Sequence, residues 1–115
     1  MTEDKIKKLT MQIKDKLSAH IKIGNIFVVR VVDRIDEGTR AECITDAYAI
    51  DWYIRINRSV LSDSDVEIKR LIIHELMHCS KSRLNHGGTF RRAYYKACKI
   101  MEISSGSLAH YIRNR

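Results

Sequence analysis

Residues 74–90 read HELMHCSKSRLNHGGTF, which brings three histidines and a glutamate into one short stretch of chain. His74 and His78 are four positions apart, so on an α-helix they lie on the same face, about 6 Å apart along the axis. Both imidazoles can then bind one ion at about 2.0–2.1 Å. Glu75 lies about 100° further round the helix, where it can reach a water on that ion. The spacing predicts a metal hydrolase, in which zinc lowers the pKa of a water to about 7 and the carboxylate takes its proton.

The residues before this motif predict that it lies on a helix with a defined start. Ser64, Asp65, Val66 and Glu67 match a capping box, and the two acidic residues suit the positive end of the helix dipole. The helix is predicted to continue through IKRLIIHELMHCS. Its histidine and glutamate lie among apolar residues, where uncompensated polar groups are costly, and a bound metal is the simplest compensation. The alternative is a buried helix end capped by two histidines without any metal.

A catalytic zinc takes three protein ligands and keeps its fourth position open. His86, eight residues after His78, is the nearest candidate for the third ligand, and the glycines that follow it give the backbone freedom to turn back toward the helix. The spacing of the metzincins would require a ligand at Leu84, which excludes that class. Other candidates for the third ligand are His110, Glu102, His20 and Cys79.

The remaining pattern predicts one domain over residues 1–115 of the α+β class. An amphipathic helix is predicted over 4–20, and strands over 26–33, 39–45 and 47–57, the last with apolar residues at every second position. A C-terminal helix is predicted over 89–101, and a short last helix in SLAHYIRNR. We expect a small, largely antiparallel sheet that packs on one face against the N-terminal helix, the HExxH helix and the C-terminal helix. The strand 47–57 is a candidate for the edge that holds a peptide.

Composition is that of an ordinary soluble globular protein. No apolar run approaches the roughly 20 residues that a membrane span needs, so no membrane partner is expected, and the N-terminal residues lack the apolar core of a signal peptide. The cysteines at 43, 79 and 98 are odd in number and lack CxxC spacing, which predicts reduced thiols. We therefore expect a cytoplasmic protein.

The net charge of +7 is concentrated in the last third of the chain. Residues 1–80 carry 13 Lys/Arg and 13 Asp/Glu, whereas residues 81–115 carry eight Lys/Arg and one acidic residue. Four of these cations lie on the predicted C-terminal helix: Arg91, Arg92, Lys96 and Lys99. They predict salt-sensitive contacts to the phosphates of nucleic acid. The alternative is a solvated basic surface without a partner.

HELMH followed by His86, Gly87 and Phe90 resembles the SprT-like zinc metallopeptidases, whose signature is HExxH followed by HGxxF. The strand that ends in Ile56-Asn57 before the capped helix resembles that family too, and the small metallopeptidases of phages. The likeness covers roughly residues 46–101. One departure is Gly88, where many relatives carry proline.

The resemblance implies a minimal zincin-like fold and a peptidase with one catalytic Zn²⁺. It implies that His74, His78 and His86 bind the zinc, that Glu75 is the catalytic acid and base, and that Phe90 packs behind the site. Family members cleave proteins crosslinked to DNA, so the resemblance implies polypeptide substrates associated with DNA, in a bacterial or phage-infected cell. The alternative is a non-catalytic basic module that keeps zinc for stability and binds nucleic acid or a host protein.

Overall fold

Three α-helices and a three-stranded sheet form the described part of the chain. The computed structural model describes residues 1–33, 35, 38–46, 48, 50–80 and 86–106. The helices are α1 (Glu3–Ser18), α2 (Asp65–His78) and α3 (Gly88–Ile100), the strands are β1 (Asn25–Val32), β2 (Ala41–Thr45) and β3 (Asp51–Asn57), and a 3-10 turn (Arg58–Ser62) leads from β3 into α2. None of these helices combines the length and apolar character needed to cross a membrane. The short helix predicted in 107–115 lies outside the described residues.

The sheet has the order β1-β3-β2 and is mixed. β3 pairs antiparallel with β2 and parallel with β1. The predicted α+β class is confirmed, but the largely antiparallel sheet needs correction, because only one of the two described pairs is antiparallel. The physical reason is the strand order: β3 enters between the two earlier strands and runs in the same direction as β1.

β3 is the centre of the sheet, so it is not the edge strand that the sequence suggested as a peptide holder. Trp52, Ile54 and Ile56 point into the core and are each 1% exposed. Tyr48 and Ile50, which the alternating pattern placed on the same apolar face, are exposed instead. The Asp46 side chain accepts hydrogen bonds from the backbone N–H groups of both residues, at 3.0 and 3.1 Å, which forms a turn before β3 begins.

The helices pack so that the second half of α2 is enclosed by the rest of the fold. It contacts α1, α3 and β2, and every side chain from Leu71 to His78 is buried. Ser64 caps its start, since the Ser64 hydroxyl accepts a hydrogen bond from the Glu67 N–H at 3.3 Å, as the sequence predicted. A stretch of helix buried on all sides is normally apolar throughout. Here the enclosed stretch also contains two histidines and a glutamate.

Candidate active site

The three histidines of the motif converge on one point. The Nε2 atom of His78 lies 3.3 Å from Nε2 of His74 and 2.9 Å from Nε2 of His86. The Nε2 atoms of His86 and His74 are also 3.3 Å apart. Two of these residues lie one turn apart on α2, and the third lies directly before Gly87, the N-cap of α3. The contact between α2 and α3 therefore brings the imidazole of His86 next to those of His74 and His78.

The spacing of these nitrogens fits a single metal ion. Zinc binds histidine nitrogen at about 2.0–2.1 Å, and a tetrahedral arrangement then separates the nitrogens by roughly 3.3–3.4 Å. Two of the three separations match this value, and the third is slightly shorter. His74, His78 and His86 are a group that could hold a metal ion. Three imidazoles with a fourth position open are a donor set that catalytic zinc uses.

The other candidates for the third ligand lie elsewhere or outside the described residues. The Sγ atom of Cys79 lies 3.1 Å from Sγ of Cys43 and 3.3 Å from the carbonyl oxygen of Glu75. Neither His20 nor Glu102 belongs to the metal-binding group found among the described residues. His110 falls in the part of the chain that is not described.

Glu75 places a buried carboxylate next to the histidine cluster. Its side chain is 1% exposed, and Oε2 lies 3.9 Å from Nε2 of His74. That separation is too long for a direct hydrogen bond. A buried carboxylate is costly unless positive charge or hydrogen bonds compensate it. A divalent cation at the histidine cluster would provide such compensation.

Phe90 packs against all three imidazoles. The centroid of its ring lies 4.5 Å from that of His78, 4.9 Å from that of His74 and 5.0 Å from that of His86. Its side chain is fully buried. The first turns of α3 therefore provide an apolar wall behind the nitrogens, which is the position that the HGxxF resemblance implied for this residue.

Tyr94 continues this wall one turn further along α3. Its ring is stacked against that of Phe90 with the centroids 6.4 Å apart, and its hydroxyl donates to the carbonyl oxygen of Ser105 at 2.8 Å. Cys98 follows Tyr94 by four residues on α3. Burial raises the pKa of the Cys98 thiol, while a hydrogen bond with Tyr94 and the positive charge of Arg70 act in the opposite direction.

The basic residues predicted to bind nucleic acid are exposed along α3. Arg91, Arg92, Lys96 and Lys99 all lie at the surface. Two of them, Arg92 and Lys96, line a surface cavity of about 300 Å³ together with His20 and Lys22 from the segment after α1. The ammonium group of Lys96 donates to the carbonyl oxygen of His20 at 3.4 Å.

Two features of the site follow only from the fold. β2 lies beside α2, which brings Cys43 next to Cys79, and the segment after α1 contributes His20 and Lys22 to the basic cavity. Both depend on contacts between elements distant in sequence. No local spacing in the sequence indicates either of them.

Two solved structures are similar to this one. The metallopeptidase zymogen of Pyrococcus abyssi abylysin superposes with a TM-score of 0.57 and 22% identity, and the match covers 84% of this chain and 89% of that one. The metallopeptidase zymogen of Methanocaldococcus jannaschii jannalysin gives a TM-score of 0.53 and 21% identity over the same shares of the two chains. This chain shares their fold. No protein-family model matches the sequence, and neither does any curated protein.

Proposed function

We propose that this protein is a zinc-dependent metallopeptidase of SprT-like type that cleaves within polypeptides. The proposal rests above all on the convergence of three Nε2 atoms beside the buried carboxylate of Glu75. A fold shared with two metallopeptidase zymogens supports it. The HGxxF companion of the HExxH motif supports the SprT-like subtype.

The metal would be held by His74, His78 and His86, and zinc, when bound there, acts as a Lewis acid and lowers the pKa of water. Glu75 takes a proton from the water that attacks the peptide carbonyl and then delivers it to the departing amine nitrogen. Because its carboxylate is enclosed by α2 and its neighbours, it stays oriented toward the cluster. Phe90 restricts the rotation of all three imidazoles, which keeps their Nε2 atoms directed at one point.

The polypeptide substrate has a suitable surface in β2. This strand lies at one edge of the described sheet, pairs with β3 on its inner side and contacts α2. An edge strand offers backbone N–H and C=O groups to an extended peptide, which would add to the sheet as a further strand. Ile44 on β2 is 41% exposed and would contact such a peptide.

The substitution Glu75→Gln tests the catalytic proposal. It keeps the size of the side chain but removes the base, so we expect cleavage of an unfolded protein substrate to fall by at least about 100-fold. Zinc content and thermal unfolding should stay close to those of the wild type, because the three imidazoles are unchanged. If wild type and Glu75→Gln cleave equally, or if neither cleaves any polypeptide tested, the peptidase proposal is wrong.

Action on proteins associated with DNA is a finer proposal that depends on the basic face of α3. The cavity lined by Arg92, Lys96 and Lys22 concentrates positive charge close to the start of α3, and His86 lies two residues before that start. Phosphate contacts of this kind weaken steeply with salt. We expect DNA binding to weaken at least about tenfold between 50 and 200 mM salt, and to weaken further in Arg92→Glu/Lys96→Glu. Affinity that ignores salt would contradict the phosphate contacts.

The same basic cavity favours a second candidate, a non-catalytic module that keeps zinc for stability and binds nucleic acid or a host protein. This candidate predicts zinc and DNA binding without any cleavage, and no effect of Glu75→Gln. The buried carboxylate beside the cluster argues for the enzyme, since a purely structural zinc site needs no base.

A further inference from the structure

Two thiols meet where the edge strand reaches the end of the metal-site helix. Cys43 lies in the middle of β2, and Cys79 directly follows His78 at the end of α2. Their Sγ atoms are 3.1 Å apart although the residues are 36 positions apart in sequence. A disulfide bond is about 2.03–2.05 Å long, so the two sulfur atoms need to approach by only about 1 Å.

The backbone around both cysteines is held by other contacts, so their proximity does not depend on side-chain rotation alone. Cys43 is paired with Ile54 in the antiparallel ladder of β2 and β3. The Cys79 N–H donates to the Leu76 carbonyl oxygen at 3.0 Å, and the Cys79 carbonyl oxygen accepts from the Gly24 N–H at 2.7 Å. The bond would replace the contact between Cys79 Sγ and the carbonyl oxygen of Glu75.

The two thiols differ in exposure, which gives the reaction an order. Cys43 is partly exposed, whereas Cys79 is fully buried. Cys98, the third cysteine, is also buried and lies in α3. An oxidant from solvent therefore reaches Cys43 first, and the nearest sulfur available to resolve the oxidised product is that of Cys79.

We propose that Cys43 and Cys79 are a modification site: peroxide converts them to a reversible disulfide that fastens β2 to the end of α2. In the first step the Cys43 sulfur attacks one oxygen of hydrogen peroxide, the O–O bond breaks, and sulfenic acid and one water form. In the second step the Cys79 sulfur attacks the Cys43 sulfur, the S–O bond breaks, and a second water leaves. Together the two thiols lose two electrons, and one peroxide is reduced to two waters.

The bond would link β2, which lies at an edge of the sheet, to the residue that follows His78. Because it closes a loop of more than 30 residues, it restricts the unfolded chain and should raise Tm by about 10 °C or more. A thiol reductant would reverse the shift. The spacing of the three imidazoles does not require Cys79 to be reduced, so we expect the zinc content to stay the same in both forms.

Thiol counting on the zinc-loaded protein tests the proposal. After treatment with hydrogen peroxide, the wild type should lose about 2 Da, the mass of two hydrogens, and on denaturation with a maleimide present it should take up one maleimide, on the one remaining thiol. Peptide mapping should join residue 43 to residue 79, and dithiothreitol should restore three thiols. Cys98→Ala should still form the bond, whereas Cys43→Ser should not. In urea the bond should form far more slowly, because the fold no longer holds the sulfur atoms together.

Mapping of the wild type alone decides the outcome, even if a variant fails to fold. Three free thiols after peroxide treatment, a bond that involves Cys98, or oxidation of Cys43 to sulfinic acid without any disulfide would overturn the proposal. An unchanged Tm of the mapped disulfide form would overturn the claim that the bond fastens β2 to α2.

Discussion

The substitution Phe90→Ala removes the aromatic ring that touches all three imidazoles. The Phe90 side chain is fully buried, with ring centroids 4.5–5.0 Å from those of His74, His78 and His86. Truncation of a buried phenylalanine typically costs about 3–5 kcal/mol, which includes the cavity left behind. That is a large part of the roughly 5–15 kcal/mol that holds an ordinary domain together.

Urea unfolding in the presence of EDTA measures this cost without any contribution from bound metal. The single tryptophan, Trp52, is 1% exposed in β3, so its fluorescence reports the loss of the core. We expect the unfolding free energy of Phe90→Leu to lie between those of the wild type and Phe90→Ala, because leucine fills part of the space. Tyr95→Ala is a matched control on the same helix, since Tyr95 is 49% exposed, and it should change the free energy by less than about 0.5 kcal/mol.

The same variants also show whether the Phe90 ring affects metal binding in addition to the stability of the fold. Without the ring, the imidazoles lose an orienting contact, so we expect zinc affinity in Phe90→Ala to fall by about 10–100-fold. Competition with a chromophoric chelator measures this directly. If Phe90→Ala destabilises the protein no more than Tyr95→Ala does, the ring does not stabilise the fold. If it binds zinc as tightly as the wild type, the ring does not orient the imidazoles.

Three further predictions concern the scaffold. Ser64→Ala removes the N-cap of α2, where the hydroxyl accepts from the Glu67 N–H at 3.3 Å, and should cost about 1 kcal/mol in urea unfolding, whereas Ser64→Asp should retain most of the stability. Gly24→Ala would place a Cβ 2.6 Å from Cδ1 of Trp52 and 3.1 Å from the carbonyl oxygen of Cys79; we expect a loss of about 1–3 kcal/mol and a lower Tm, and an unchanged Tm would contradict this close approach. Burial raises the pKa of the Cys98 thiol above its ordinary value of 9.0, so the unfolded chain releases this proton first. The contribution of Cys98 to the free energy of unfolding is therefore fully present below pH 9 and decreases as the pH rises above it. The stability difference between wild type and Cys98→Ala should shrink over that range, and a constant difference would be contrary evidence.

The sequence predicted the elements better than it predicted their arrangement. α2 was predictable because a capping box, an apolar run and the HExxH spacing all indicate the same helix, and the structure has it at Asp65–His78. Strand order was not, since neighbours in a sheet are chosen by packing against the helices and not by the pattern within one strand. Tyr48 and Ile50 show the same limit: they continue the alternation of β3, but the Asp46 side chain bonds their backbone into a turn.

The candidate site divides in the same way. His74, Glu75 and His78 lie within one helical turn of each other, so local geometry was sufficient to group them. Bringing His86 to them requires the contact between α2 and α3, which the sequence indicated through the glycines at 87 and 88 and the HGxxF resemblance. Cys43 and the basic contribution of Lys22 could not be predicted, because they reach their neighbours only through the folded sheet and the segment after α1.

Titration of zinc into metal-free protein while polypeptide cleavage is measured tests whether the three imidazoles and Glu75 form a catalytic zinc site. We expect no cleavage without metal, a rate that rises in proportion to added zinc, and a plateau at one zinc per chain, because one group of three imidazoles is available among the described residues. Cleavage that persists after the metal has been stripped, or zinc binding at one equivalent that never produces cleavage, would show that this site is not a catalytic zinc centre.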